Sequence, residues 1–181
     1  MATILKIEDF ANGRFVIPIN PEQEIDLEMY IELTENKYLP MLFGKDLYDL
    51  FKAEIDANFG VPTSARFEII FNPFVEQLDW TYYNRLIQSD RLIQSEGMKI
   101  MLMGFVYFQW VRDVVSRVST VGVERTIGEN SENVSSIKND VDMRFNQSVR
   151  SYKAIQKYMV CFAPDDYPEF EGIYLGFNHN F

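Results

Sequence analysis

Met98-Lys-Ile-Met-Leu-Met-Gly-Phe-Val-Tyr-Phe-Gln-Trp-Val-Arg112 is the stretch that decides the fold class, because between Lys99 and Arg112 it carries an uncharged run of about a dozen residues. A bilayer crossing needs about 20 such residues, so the run is too short to span a membrane. A helix that is apolar all round has to be covered by protein on nearly every side, which predicts a central post in a helical bundle. Ser95 and Glu96 are its expected N-cap and first-turn acid.

Downstream, Val134, Ile137, Val141, Phe145, Val149, Tyr152, Ile155, Met159 and Phe162 follow one another at three- and four-residue steps. That spacing predicts one long amphipathic helix from Glu132 to Phe162, about 45 Å at 1.5 Å per residue, with Ser131 as its N-cap. Its other face carries Lys138, Asp142, Arg150, Lys153 and Lys157, and faces either solvent or another subunit.

The two helices are separated by Ser119–Asn130, where Gly122 and Gly128 give backbone freedom and Val121, Val123 and Ile127 give apolar points. A phosphate cradle does not fit: no Lys-Ser or Lys-Thr follows the glycines, and Glu124, Glu129 and Glu132 would repel a phosphate. A protruding loop or β-hairpin arm that reaches a neighbouring molecule is the expectation.

The tail, Cys161–Phe181, sets Tyr167, Phe170, Tyr174, Phe177 and Phe181 at near-helical steps, while Pro168, Gly172 and Gly176 oppose a stable free helix. Two readings stay open. The rings fold back on the subunit's own core, or they form a docking peptide that orders on another protein; in the second case, deleting Asp166–Phe181 leaves the fold intact and abolishes assembly.

Several of these segments, taken in order, resemble structural proteins of tailed phages that infect Bacteroidetes, the crAss-like phages among them. The likeness lies in Val106-Tyr-Phe-Gln-Trp-Val-Arg-Asp113 within Met98–Val115, in Gly122-Val123 and Gly128-Glu-Asn-Ser-Glu132, and in Phe145-Asn-Gln-Ser-Val149 with Ala154-Ile-Gln156. Tyr38-Leu-Pro-Met-Leu-Phe-Gly-Lys-Asp-Leu-Tyr48 and Asp166-Tyr-Pro-Glu-Phe170 extend it over most of the chain. Such proteins are similar in helical layout to head-tail connector adaptors. The resemblance implies a mainly α subunit, a helical adaptor domain over 1–162 with an extended C-terminal docking tail over 163–181. It also implies a homo-oligomeric ring with the portal's symmetry, expected as a dodecamer. That ring would sit below the portal protein, touch other tail or ring proteins and surround the DNA path in a virion assembled in the host cytoplasm. It implies no catalysis, no cofactor and no metal. Val121, Gly122, Val123, Ile127, Gly128 and Asn130 are then the subunit-interface candidates, and Tyr167, Phe170, Tyr174, Phe177 and Phe181 the portal or neighbour docking candidates. The charged face of the long helix is the second candidate patch for a closing head-to-tail contact.

Composition is compatible with this reading. The 181 residues, 47% apolar and 15% aromatic, suffice for one domain with a real core. Cys161 is the sole cysteine, so neither an intrachain disulfide nor a cysteine zinc site can form. Met1–Asp9 lacks an apolar run of signal-peptide length, so export by that route is not expected. The formal net charge of -10 argues against wrapping DNA by phosphate neutralisation, while an acidic ring wall would repel a passing duplex. Catalysis finds little material: His179 is the only histidine, and the acid pairs Asp140/Asp142 and Asp165/Asp166 are of a kind common on acidic surfaces. The competing function is a soluble helical interaction module of a bacterial regulator.

Toward the N-terminus, Asn12-Gly13 flanked by Phe10 and Phe15-Val16-Ile17 reads equally as a short hairpin or as an arm packed on a helix. Asn20-Pro21-Glu22-Gln23 predicts a helix start, with Ile25, Met29 and Leu33 buried and an end near Asn36. Further elements are expected over Tyr38–Phe43 and from Asp46 through Leu47, Leu50 and Phe51. Phe67-Glu-Ile-Ile-Phe71 looks strand-like, and Leu78–Leu92 is expected as a helix that packs Trp80, Tyr82, Tyr83 and Leu86 on the post.

Overall fold

The apolar run does become the post. In the computed structural model, which describes residues 2–18, 23–77, 92–115, 118–119, 122–123 and 134–173, the elements are a 3-10 turn at Ile7–Phe10, α1 Glu24–Phe43, α2 Lys45–Ala57, α3 Ala65–Phe71, β1 Phe74–Gln77, β2 Leu92–Ser95, α4 Met98–Val115, β3 Val118–Ser119, β4 Gly122–Val123 and α5 Val134–Cys161. The fold is mainly helical, with β1 and β2 forming one small antiparallel sheet.

Met98, Met101, Leu102, Phe105 and Val106 of α4 are wholly buried. Tyr38 of α1 stacks on Phe105 at 4.1 Å, Phe145 of α5 lies 4.4 Å from Phe108, and Tyr30 meets Trp110 edge-on at 5.4 Å. Since residue 30 lies beside 110 and residue 38 beside 105, α1 runs antiparallel to α4. The pairing of Phe145 with Phe108, and of Gln147 and Ser151 with Glu96, gives α5 the same sense. Each fully buried Leu, Ile or Phe of this core contributes roughly 1.5–3 kcal/mol by leaving water. Gly104 sets how close α5 comes, since a Cβ there would stand 1.9 Å from Ser148 Oγ.

The structure departs from the local sequence pattern at several points. On α1 the predicted inner row is the outer one: Ile25, Met29 and Leu33 are 75%, 50% and 56% exposed, while Leu27, Ile31, Thr34 and Tyr38 face the core. Both rows have helical spacing, and the one continuous with Leu39, Leu42 and Phe43 buries more. Nor does α1 stop at Asn36. It passes through Pro40, whose missing N–H leaves the Asn36 carbonyl without its helical partner at an exposed position. The strand-like Phe67–Phe71 is helical, because the Glu54 carboxylate takes the backbone N–H groups of Thr63 and Ser64 and the Ser64 hydroxyl, holding the start of α3 while Phe67 and Ile70 turn inward together. Ser95 does not cap α4: it ends β2 opposite Phe74, and its Oγ accepts the N–H of Gly97 just ahead of the helix.

In α2 the buried row is Leu47, Phe51 and Ile55, with Leu50 on the outside. Gly44, at φ +80°, makes the sharp turn from α1 into α2. The N-terminal segment is an arm: Phe10, Phe15 and Ile17 are buried, and the backbone N–H groups of Ile4 and Leu5 end on Glu35. The expected helix start at 20–22, the ring set at 80–86, and Ser131 lie outside the described residues; Leu92, expected at a helix end, opens β2.

Candidate docking surfaces

Of the interface candidates, Gly122 and Val123 form β4, paired antiparallel with β3 in the register Val118 opposite Val123 and Ser119 opposite Gly122. Val121, Ile127, Gly128 and Asn130 lie outside the described residues.

Among the docking candidates, Tyr167 is part of the subunit's own core. It is 3% exposed, and its hydroxyl donates to the Arg66 carbonyl, so the subunit's own core occupies the ring. Phe170 is half-buried against the same core. The chain continues as a strap. Glu171 N–H donates to the Phe43 carbonyl at 3.1 Å and Ile173 N–H to the Met41 carbonyl at 2.7 Å. The Ile173 carbonyl accepts from the Tyr152 hydroxyl at 2.9 Å and from Gln156 Nε2 at 3.1 Å. The segment expected as a tail from 163 is thus, as far as Ile173, laid on α1, α3 and α5; Tyr174, Phe177 and Phe181 lie outside the described residues.

Three patches of exposed apolar side chain remain on the described surface. The first is the outer row of α1, Ile25, Met29 and Leu33, stacked one turn apart, with a parallel row of exposed acids Glu24, Glu28 and Glu32 beside it. The second is the turn after α2, where Phe59, 88% exposed and held at φ +56°, stands two residues before exposed Val61. A bulky residue in that left-handed region is strained, and the structure around it does not bury the ring in return. The third is the outer face of the small sheet, with Val75 and Leu92. No family model, curated protein or solved structure matches the chain.

The charged face of α5 is present from Asp142 onward as half-buried Asp142, Lys153 and Lys157 and exposed Arg150, flanked by exposed Met143 and Val160. Burial, then the neighbouring charge of Lys157, pushes the Lys153 ammonium below its ordinary range. The sequence from Met143 to Pro164 contains Arg144, Arg150, Lys153 and Lys157 and no acid at all. Its complement, the acid row on α1, was readable from the four-residue spacing of Glu24, Glu28 and Glu32, but only once Ile25, Met29 and Leu33 were known to face outward.

A groove of about 470 Å³ runs between the N-terminal arm and the middle of α1, lined by buried Glu35 together with Thr3, Lys6, Glu32 and Lys52. Burial raises the Glu35 pKa above the ordinary 4.5, against the backbone N–H groups of Leu5 and Ile4, which favour the carboxylate. Those two bonds fasten the arm, at 2.9 and 3.2 Å, so this carboxylate is engaged in holding the fold. Of the acid pairs noted in the sequence, half-buried Asp140 is ion-paired to Arg144 one turn on, and Asp165 and Asp166 are exposed.

Proposed function

We propose that this chain is a virion structural protein, a head-tail connector adaptor of a tailed phage, whose copies form a ring below the portal, join capsid to tail and surround the DNA path. The observation that carries the reading is a well-packed helical body whose apolar residues come to the surface in separate rows and clusters, on α1, after α2 and on the sheet. Single exposed apolar side chains are ordinary, whereas a row on one helix and paired clusters on two further surfaces suit a part held by neighbours on more than one side. The sequence resemblance to phage structural proteins supports the same reading. The net charge of -10 suits a conduit wall, because a like-charged surface keeps the duplex from sticking.

The test is light scattering with negative-stain microscopy on the purified protein, alone and with the portal of the same phage. Closed rings, or rings that form on the portal, are the expected result. A strictly monomeric chain that ignores the portal overturns the reading and favours an interaction module of a regulator.

A further inference from the structure

We propose that the outer face of α1 on one copy docks on the outer face of α5 on the next, acid row against basic strip, as the contact that joins copies head to tail. This deepens the ring reading and rests on it, since it names the two surfaces by which copies meet.

Three observations lead there. First, the two faces are chemically complementary within one chain. From Glu24 to Asn36 α1 carries Glu24, Asp26, Glu28, Glu32 and Glu35 and no base, and all but Glu35 are exposed. On α5, Arg150, Lys153 and Lys157 occur in a stretch of more than twenty residues without an acid. Second, each face is edged by apolar side chains that gain from being covered: Ile25, Met29 and Leu33 on α1, Met143 and Val160 on α5. Along α5 the sequence Met143, Asn146, Arg150, Lys153, Lys157, Val160 steps by three and four, which keeps these positions on one side of a straight helix and lets another helix lie along it.

Third, a single copy cannot bring its own two faces together. The acid-bearing half of α1 sits at the C-terminal end of α4, where the Tyr30 hydroxyl donates to Asp113 at 2.8 Å. The basic stretch of α5 begins near the N-terminal end of α4, where Gln147 Nε2 donates to Glu96 at 2.7 Å and Ser151 Oγ accepts the Glu96 N–H at 3.2 Å. Both helices turn their inner rows to α4, so their outer rows look away from it. Two different patches per copy make a heterologous contact, the kind that closes into a ring when the rotation allows. Like charges stacked one turn apart repel, as Glu24, Glu28 and Glu32 do on α1. On α5, burial first and then the neighbouring charge of Lys157 hold the Lys153 ammonium below its ordinary range. Each row therefore relieves the other's repulsion on contact.

The experiment is sedimentation velocity on the full chain, with portal present if the ring requires it, for Glu24→Lys/Glu28→Lys/Glu32→Lys, for Arg150→Glu alone, for Arg150→Glu/Lys153→Glu/Lys157→Glu, and for the chain carrying both triple reversals. Each triple reversal should weaken self-association at least tenfold. Arg150→Glu, fully on the surface, guards against loss from misfolding and should weaken it severalfold. The chain with both reversals should associate again. Raising salt from about 0.05 M to about 0.5 M, which shortens the screening length roughly threefold, should weaken the wild type and the chain with both reversals alike, and should not weaken either triple reversal on its own. Wild-type rings that persist in each triple reversal taken alone overturn the inference, leave the ring reading standing and assign these faces to a different protein. A closed two-copy particle lost on reversal sinks the ring reading and leaves the contact. A wild type that never associates overturns both.

Discussion

Glu35 is a buried carboxylate that takes the backbone N–H groups of Ile4 and Leu5, so it holds the N-terminal arm onto α1. Glu35→Ala leaves both donors buried and unpaired, and should lower the unfolding free energy by roughly 2–5 kcal/mol in urea titrations. Its pH behaviour follows from the direction of its shift. Burial lifts its folded pKa above 4.5, so between 4.5 and that higher value the folded chain keeps a proton that the unfolded chain has released. Its contribution to stability therefore declines as pH rises through that window. Glu54 does the opposite: burial opposes its charge, but the hydrogen bonds from Ser64 and Thr63 outweigh burial and leave its folded pKa below 4.5. That contribution is full above 4.5 and is lost as pH falls through the folded value. Stability measured against pH should accordingly show Glu35→Gln losing ground to the wild type less as pH rises, and Glu54→Gln losing the acid-side decline. Equal slopes for all three chains would remove this assignment. Neither role was legible from sequence, because both carboxylates act on backbone groups that the fold brings in, in the case of Glu35 from about thirty residues away.

At the scale of elements, the α4–α5 crossing depends on Gly104. A Cβ there would meet Ser148 Oγ at 1.9 Å and the Phe15 ring at 3.3 Å. Ser148 Oγ also donates to the Arg144 carbonyl at 3.2 Å, so it turns aside only by giving up that bond. Gly104→Ala should cost roughly 1–3 kcal/mol, through displacement of α5 rather than loss of helix. Ser148→Ala alone should cost less than about 1 kcal/mol, and the double variant should recover at least half of the Gly104→Ala loss, a coupling that a double-mutant cycle reads directly. Additive effects would show that the crossing is set elsewhere. The existence of α4 and α5 was plain in the sequence, since an uncharged dozen and an unbroken three-and-four rhythm are strong local signals. Phe67–Phe71 was not, because five residues of alternating bulk satisfy a strand as well as a short helix. The Glu54 side chain decides it by holding Thr63 and Ser64.

For the whole molecule, the strap from Ala163 to Ile173 changes what truncation means. Cutting from Asp166 removes Tyr167 from the core and uncovers Gln156, so it should lower the unfolding free energy by about 3–5 kcal/mol and the melting temperature by roughly 6–20 °C. Cutting after Ile173 keeps the whole strap and tests the docking role of Tyr174, Phe177 and Phe181, read as retained or lost association with the portal. A full-length melting temperature after the longer cut would show that the strap is not part of the core. By itself the sequence determined that the chain is mainly helical, that the uncharged run makes its central post, and that the long helix carries a charged face, since composition and helical period are carried within a few turns. Only the tertiary structure decided which of two equally spaced rows on α1 turns inward, and that Tyr167 belongs to the subunit itself. Those choices turn on contacts between residues a hundred or more positions apart, such as Tyr167 with the Arg66 carbonyl and Ile173 with the Met41 carbonyl, where burying the larger continuous surface and pairing the strap with α1 and α5 outweigh any local preference.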